Sequence, residues 1–224
     1  MQKGKVAEVF SSIQGEGIYQ GASQVFVRFF GCNLRCQFCD TPLKSFREYT
    51  VGELSQEIDS LWQNCHSVSF TGGEPLLQVD FLHEILLLCK EKARKVYLET
   101  NGTLPAALER VIDLVDIVAM DFKLPSSARA GNLWEAHERF LKEAAKKEVM
   151  VKAVICNATL DRDIFTAVEI IRRIDPAIPL VLQPNFFDSD EELNRKLAVY
   201  RQYCSRYLSD VRVLPQLHKI LSLR

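Results

Sequence analysis

The sequence predicts an α/β protein, an incomplete parallel β/α barrel of about six strands, laid out as one domain over residues 1–224. Two observations predict it. Strand-like apolar runs alternate with helix-like runs along the whole chain, and that alternation implies a parallel sheet with helical crossovers. A closed eight-stranded barrel usually takes about 250 residues, and this chain of 224 is a little short for one.

The elements follow in order. A polar, glycine-rich stretch, Ser-Ser-Ile-Gln-Gly-Glu-Gly from Ser11 to Gly17, reads as a turn before the first strand. Ser23–Phe29 alternates as a strand. Thr50 and Glu53 form a capping box, and Leu54, Ile58, Leu61 and Trp62 recur at helical spacing behind it. Residues 68–70 are a short strand, 79–93 a helix, 96–99 a strand and 106–114 a helix. Strand 116–121, helix 133–147 and strand 149–155 come next, then helix Asp161–Ile174 with Ile164, Val168 and Ile171 on one face. Strand 178–183 precedes helix 189–207, and residues 211–214 offer a last short strand.

Composition narrows the function classes. Hydrophobic residues make up 47% and charged residues 25%, ordinary values for a globular protein. A net charge of −1 without a Lys/Arg block argues against phosphate-driven nucleic-acid binding. No apolar stretch is long enough to span a bilayer, and the N-terminus shows no secretory apolar region, so a cytoplasmic protein is expected. The cysteine count is seven, odd and unevenly spread, which fits a reducing compartment better than a disulfide framework. Cys65, Cys89, Cys156 and Cys204 are scattered and read as small buried hydrophobes.

The other three, Cys32, Cys36 and Cys39, fall in the run Gly-Cys-Asn-Leu-Arg-Cys-Gln-Phe-Cys-Asp-Thr, spaced Cys-x3-Cys-x2-Cys with Phe38 before the last. Three thiolates this close can hold three irons of a 4Fe–4S cube and leave the fourth iron open to a substrate or cofactor. A structural zinc would need a fourth Cys or His, and His66, His83, His137 and His218 are isolated in sequence. Thr71-Gly-Gly-Glu-Pro75 follows the strand at 68–70. Its glycines, Gly72 and Gly73, permit close backbone approach to a ligand, and Glu74 can accept from an ammonium group. Alone, the segment reads first as a tight turn; downstream of the cysteine loop it becomes specific.

Together the cysteine loop, Phe38 and Gly72-Gly73-Glu74-Pro75 resemble the radical S-adenosylmethionine (SAM) superfamily, and motif order and strand count agree over most of the chain. The resemblance implies a radical SAM type of barrel. It implies that the methionyl amine and carboxylate of SAM chelate the open iron, with Gly72, Gly73 and Glu74 at the amine and Phe38, Cys39 and Asp40 beside it. Reductive cleavage then gives a 5′-deoxyadenosyl radical that takes a hydrogen atom from the substrate. It further implies SAM contacts at later strand ends. These are Thr100 and Asn101, then Asp121, Phe122 and Lys123 near the ribose or carboxylate, and Gln183, Pro184, Asn185 and Phe186 near adenine.

Gln14, Glu16 and Arg28 offer an amide, a carboxylate and a guanidinium, a set suited to a pterin or guanine-like edge that carries a carboxylate. Ser-Ile-Gln-Gly-Glu-Gly, Gly-Cys-Asn-Leu, Cys-Asp-Thr and the terminal Leu-Pro-Gln-Leu-His-Lys resemble the 7-carboxy-7-deazaguanine synthase family of queuosine and deazapurine biosynthesis. That resemblance implies a homodimer acting on 6-carboxy-5,6,7,8-tetrahydropterin, with ring contraction, loss of ammonia and regeneration of SAM. It places the substrate against Ile13, Gln14, Gly15, Glu16, Arg28 and Thr71, and Mg²⁺ at Thr41, with substrate oxygens completing the shell. Whether Arg224 at the C-terminus reaches the substrate stays open, and a flavodoxin- or ferredoxin-type reductant is expected. A glycyl-radical activating enzyme shares the cysteine spacing but acts on a protein backbone, which has no pterin edge for Gln14, Glu16 and Arg28. An iron–sulfur electron carrier would need neither the Gly-Gly-Glu-Pro loop nor a barrel.

Overall fold

A computed structural model describes residues 3–39, 43–188 and 190–221. Strands β1 (Gly4–Ile13), β2 (Ser23–Phe29), β3 (Arg47–Tyr49), β4 (Ser67–Gly72), β5 (Val96–Thr100), β6 (Ile117–Asp121), β7 (Glu148–Ile155), β8 (Leu180–Pro184) and β9 (Val211–Val213) make one sheet. Their order is β3-β1-β2-β4-β5-β6-β7-β8-β9. From β2 through β9 every pairing is parallel, whereas β1 runs antiparallel to both β2 and β3. The six expected parallel strands are present, β9 adds a seventh, and β3 and β9 stand at opposite edges, so the barrel is open.

β1 and β3 escaped the sequence reading for different reasons. β1 carries a register shift between Val6 and Glu8. A bulge there exchanges the faces of the strand and spoils the alternation that marks a strand in sequence. Val6 packs into the core, while Glu8 and Phe10 face the central cavity. β3 has only three residues, two of them charged, which suits a short edge strand.

The helices cover the outer face. They are α1 (Val51–Leu61), α2 (Val79–Glu91), α3 (Pro105–Glu109), α4 (Pro125–Ala128), α5 (Trp134–Ala144), α6 (Asp161–Ile174), α7 (Glu191–Cys204) and α8 (Leu217–Ile220). The capping box of α1 is formed: Thr50 Oγ1 accepts from Glu53 N–H, and the Glu53 carboxylate accepts from Thr50 N–H at 2.8 Å. The helix expected over 106–114 breaks after Glu109, and a separate 3-10 turn follows at Ile112–Leu114. The buried β-branched pair Val111 and Ile112 lies at the break, and such side chains fit a helix poorly. α7 starts at Glu191 because Asp190 caps it, accepting from Leu193 N–H at 2.8 Å.

A large apolar cluster between sheet and helices runs from Val6 to Val211. A second, small cluster of Tyr97, Ile117 and Met150 sits at the N-terminal end of the barrel interior, with Ile18 and Tyr19 packed against it. The β1–β2 loop thus floors the barrel. α8 reaches back to that loop, Leu217 N–H donating to Gly15 O at 2.8 Å. No helix among the described residues is long and apolar enough to cross a membrane.

Candidate active site

Alternate residues of a strand share a face. In this barrel the inward face is polar at its upper levels. Tyr97 and Glu99 of β5, Ala119 and Asp121 of β6, and Met150, Lys152 and Val154 of β7 all line a central cavity of about 710 Å³. Cys32, Cys36 and Cys39 line the same cavity, as do Gln14 and Glu16. The cysteine loop follows β2 at the C-terminal end of the parallel strands, where sites of such sheets lie. Gln14 and Glu16 come from the loop that floors the barrel, opposite that end.

The cysteine loop and the glycine loop touch through their backbones. Gly73 N–H donates to Phe29 O at 2.9 Å, and Glu74 N–H donates to Gly31 O at 2.8 Å. A Cβ on Gly73 would stand 1.9 Å from Gly31 O. Gly72 has φ +120, and a Cβ there would stand 2.3 Å from Phe29 O. The first demand on these glycines is therefore the approach of the cluster loop itself.

Glu74 sits below this contact with no exposed surface. Its carboxylate accepts from Thr100 Oγ1 and Asn101 N–H, both at 2.8 Å, and from Leu76 N–H at 3.1 Å. Burial pushes the carboxyl up to about 7 against those three donors. It does not line the cavity. Its hydrogen bonds tie the glycine loop to the end of β5.

A chain of charges crosses the interior. Lys152 donates to Glu16 Oε2 and stands 3.3 Å from Asp121 Oδ2, which also accepts from Lys123 at 2.7 Å. Gln216 Nε2 donates to Glu16 Oε1 at 2.7 Å. Burial pushes Asp121 up, yet the Lys123 and Lys152 ammonium groups outweigh it and hold the carboxyl below its ordinary range. Burial pulls Lys152 down, and Glu16 with Asp121 reverses this and raises it. Lys123 lies 5.3 Å from the Phe38 ring centre. Burial pushes the Cys36 thiol up, and the Lys123 charge pulls against it.

Gln14 is held by neutral and acidic partners. Its Nε2 donates to Glu99 Oε1 at 2.7 Å and to Gln24 Oε1 at 3.0 Å. Glu99 also accepts from Ser69 at 3.1 Å and Thr71 at 3.0 Å. Arg28 Nε lies 3.3 Å from Glu8 Oε2, with the guanidinium 5.6 Å from the Phe10 ring centre. Arg28 Nε, Asp121 Oδ1 and Gln183 Oε1 are buried without a hydrogen-bond partner among the described residues. All three residues line the cavity. A buried polar atom without a partner is costly unless a ligand supplies one.

These observations locate the residues singled out in the sequence. Ile13, Gln14, Gly15, Glu16, Arg28, Thr71, Gly72, Gly73, Thr100, Asn101, Asp121, Lys123, Gln183 and Asn185 share the cavity with Phe38 and the three cysteines. Phe122 does not: it is fully buried and stacks on His137 at 4.9 Å. Pro184 and Phe186 do not line it either, whereas Phe187 does. Asp40, Thr41 and Arg224 lie outside the described residues. Sequence reading missed Glu99 and Lys152, although both sit at inward positions of recognised strands and a charge inside a strand is itself a signal. It also missed Glu8 and Phe10, hidden by the bulge in β1.

The donor set suits an iron–sulfur group. The three cysteines are outside any disulfide and line the same cavity, and the close approach of Gly73 to Gly31 O seats their loop. Among the described residues no three His, Cys, Asp or Glu side chains are already drawn together at metal-ligand separation.

Comparison with known proteins gives four matches. The radical SAM superfamily profile matches residues 26–156, more than half of the chain. The 7-carboxy-7-deazaguanine synthase of Geobacter sulfurreducens is 38% identical over 242 residues, which cover 97% of this chain and 96% of that protein. The enzyme of the same name from Methanothermobacter thermautotrophicus is 35% identical, with coverage of 100% and 99%. Among solved structures, QueE from Escherichia coli superposes with a TM-score of 0.66 at 21% identity, over 96% of this chain and 95% of that one, a likeness of fold.

Proposed function

We propose that this chain, which belongs to the 7-carboxy-7-deazaguanine synthase family of the radical SAM superfamily, converts 6-carboxy-5,6,7,8-tetrahydropterin to 7-carboxy-7-deazaguanine. The two compounds differ by one molecule of ammonia, so the conversion needs no net oxidant. The family implies a 4Fe–4S cluster and SAM. Cys32, Cys36 and Cys39 would hold the cluster, which when bound supplies the electron for SAM cleavage and so the radical that takes the substrate hydrogen.

The observation that carries the reading is the shared cavity, with the thiol loop at one end and the Gln14–Glu16 loop at the other. The chain's own residues then orient and shield the substrate. Asp121 Oδ1 and Gln183 Oε1 accept from SAM hydroxyl or amino groups. Arg28 pairs with the substrate carboxylate through its planar fork. Glu16, which accepts from Lys152 and Gln216, turns its carboxylate to the ring N–H groups of the substrate. Tyr97, Met150 and Ile18 close the floor against water. Mg²⁺ would sit between Thr41 and the substrate oxygens, serving as template and Lewis acid. A cytoplasmic homodimer and a flavodoxin- or ferredoxin-type reductant complete the reading.

The test is an anaerobic incubation of reconstituted protein with dithionite, SAM and the carboxytetrahydropterin, read by mass spectrometry. The expected result is 7-carboxy-7-deazaguanine in excess over the SAM consumed. SAM cleavage that leaves the pterin untouched would overturn it.

A further inference from the structure

Asn101 was expected to contact SAM, but every polar group of this residue is already engaged inside the chain. Its backbone N–H donates to Glu74 Oε2 at 2.8 Å, and its carbonyl accepts from His137 Nε2 at 3.1 Å. Burial pulls His137 down to about 4, so the ring is neutral and the Nε2 proton faces the carbonyl. The side-chain oxygen accepts from Thr103 N–H at 3.1 Å and from Thr103 Oγ1 at 2.5 Å. The backbone N–H of Thr103 can only donate, and this fixes which end of the amide is oxygen. The two amide hydrogens therefore point the other way. Asn101 Nδ2 reaches Asn33 Oδ1 at 2.8 Å and Cys32 Sγ at 3.8 Å.

Asn33 closes a ring. Its own Nδ2 donates to Thr103 Oγ1 at 2.8 Å, so Asn33, Asn101 and Thr103 bond head to tail across the gap between the cysteine loop and the end of β5. Bonds in such a cycle polarise one another in the same sense. Cys32 Sγ receives a second donor, Leu34 N–H at 3.4 Å.

We propose that Asn101 is a positioning residue for the iron–sulfur cluster, donating an N–H···S bond to the Cys32 ligand while the Asn33–Thr103 ring holds it, and that it is not a SAM contact. This rests on the reading of Cys32 as a cluster ligand. Donors to ligand sulfur stabilise the more negative, reduced state and raise the reduction potential. Removing the donor lowers the reduced fraction at a given poise.

The test uses reconstituted full-length enzyme, with the cluster titrated by EPR-monitored reduction, iron content measured, and SAM affinity measured separately. Asn101→Leu keeps the volume and removes both amide hydrogens. Its reduced-to-oxidised ratio at fixed poise should fall about tenfold, ~59 mV for a one-electron couple. Iron content and SAM affinity should stay near wild type. Thr103→Val removes the hydroxyl that closes the ring and leaves the amide in place, so a smaller shift of the same sign is expected. That variant decides the matter if Asn101→Leu does not fold. Unchanged potentials would overturn the proposal, as would an unchanged potential with weakened SAM binding, which would return Asn101 to the SAM site. The premise fails separately: Cys32→Ala retaining the wild-type cluster spectrum would show that Cys32 is not a ligand.

Discussion

Replacing Glu74 by glutamine removes a carboxyl that is fully buried and surrounded by donors. Burial lifts its pKa from 4.5 to about 7. Below pH 4.5 both folded and unfolded chains carry the proton. Between 4.5 and about 7 the unfolded chain releases it while the folded chain keeps it, so stability falls as pH rises. Above about 7 both forms are ionised and the slope vanishes. The full effect is on the order of 3 kcal/mol. Most of it falls between pH 5 and pH 8. Glutamine does not titrate, so the stability of wild type minus that of Glu74→Gln should fall by about 2–3 kcal/mol over that interval. The fixed cost of setting an amide N–H against the Asn101 N–H cancels in the comparison, as do the other titrating groups. Urea unfolding of cluster-free protein, followed through Trp62 and Trp134, measures the difference at each pH. A difference that stays flat from pH 5 to 8 would refute the reasoning, because the three donors would then be holding the carboxylate ionised in spite of burial.

Further outcomes are expected at the loops and the substrate end. Gly73→Ala forces backbone apart at Gly31 and should lower stability by ~1–3 kcal/mol and cut iron retention. Gly52→Ala, on α1 with open space around it, should instead gain up to about 1 kcal/mol, and thermal melts with iron analysis compare the two. Arg28→Ala should keep cluster and SAM binding yet lose roughly 1.5–3 kcal/mol of transition-state stabilisation, read as a fall in kcat/KM for the pterin. Arg28→Lys should not restore it, since the planar fork is lost; normal turnover in either variant would place the substrate carboxylate elsewhere. Thr41→Ala should weaken or alter the Mg²⁺ dependence of turnover, with tight metal binding only when pterin is present. Isothermal titration that finds tight Mg²⁺ binding without substrate, unchanged by the substitution, would place the ion elsewhere.

The parallel strands were legible because each carries a local apolar run, and the cysteine and glycine loops because each is a contiguous motif with its chemistry in a few residues. Thr50 and Glu53 announced α1 for the same reason, since a capping box closes within one turn. β1 was not legible: a bulge at Val6–Glu8 changes faces in mid-strand, and its edge partner β3 lies beyond β2 and the cysteine loop in sequence. The roles of charged side chains were decided by tertiary structure alone. Glu74 stands in its motif as a lone carboxylate, and only the fold supplies the three donors around it, two of them from the end of β5. Lys152 and Asp121 meet because β6 and β7 pair in parallel register, Asp121 beside Lys152, and Glu16 joins them only because the β1–β2 loop turns into the barrel. Asn101 and Cys32 are 69 positions apart, and nothing in either segment foretells the ring that joins them. Sequence carries what neighbours along the chain decide, namely element type, caps and motif chemistry. The partner of a buried polar group is set by which strand ends and loops the curved sheet brings within hydrogen-bond reach, and that is a property of the folded chain.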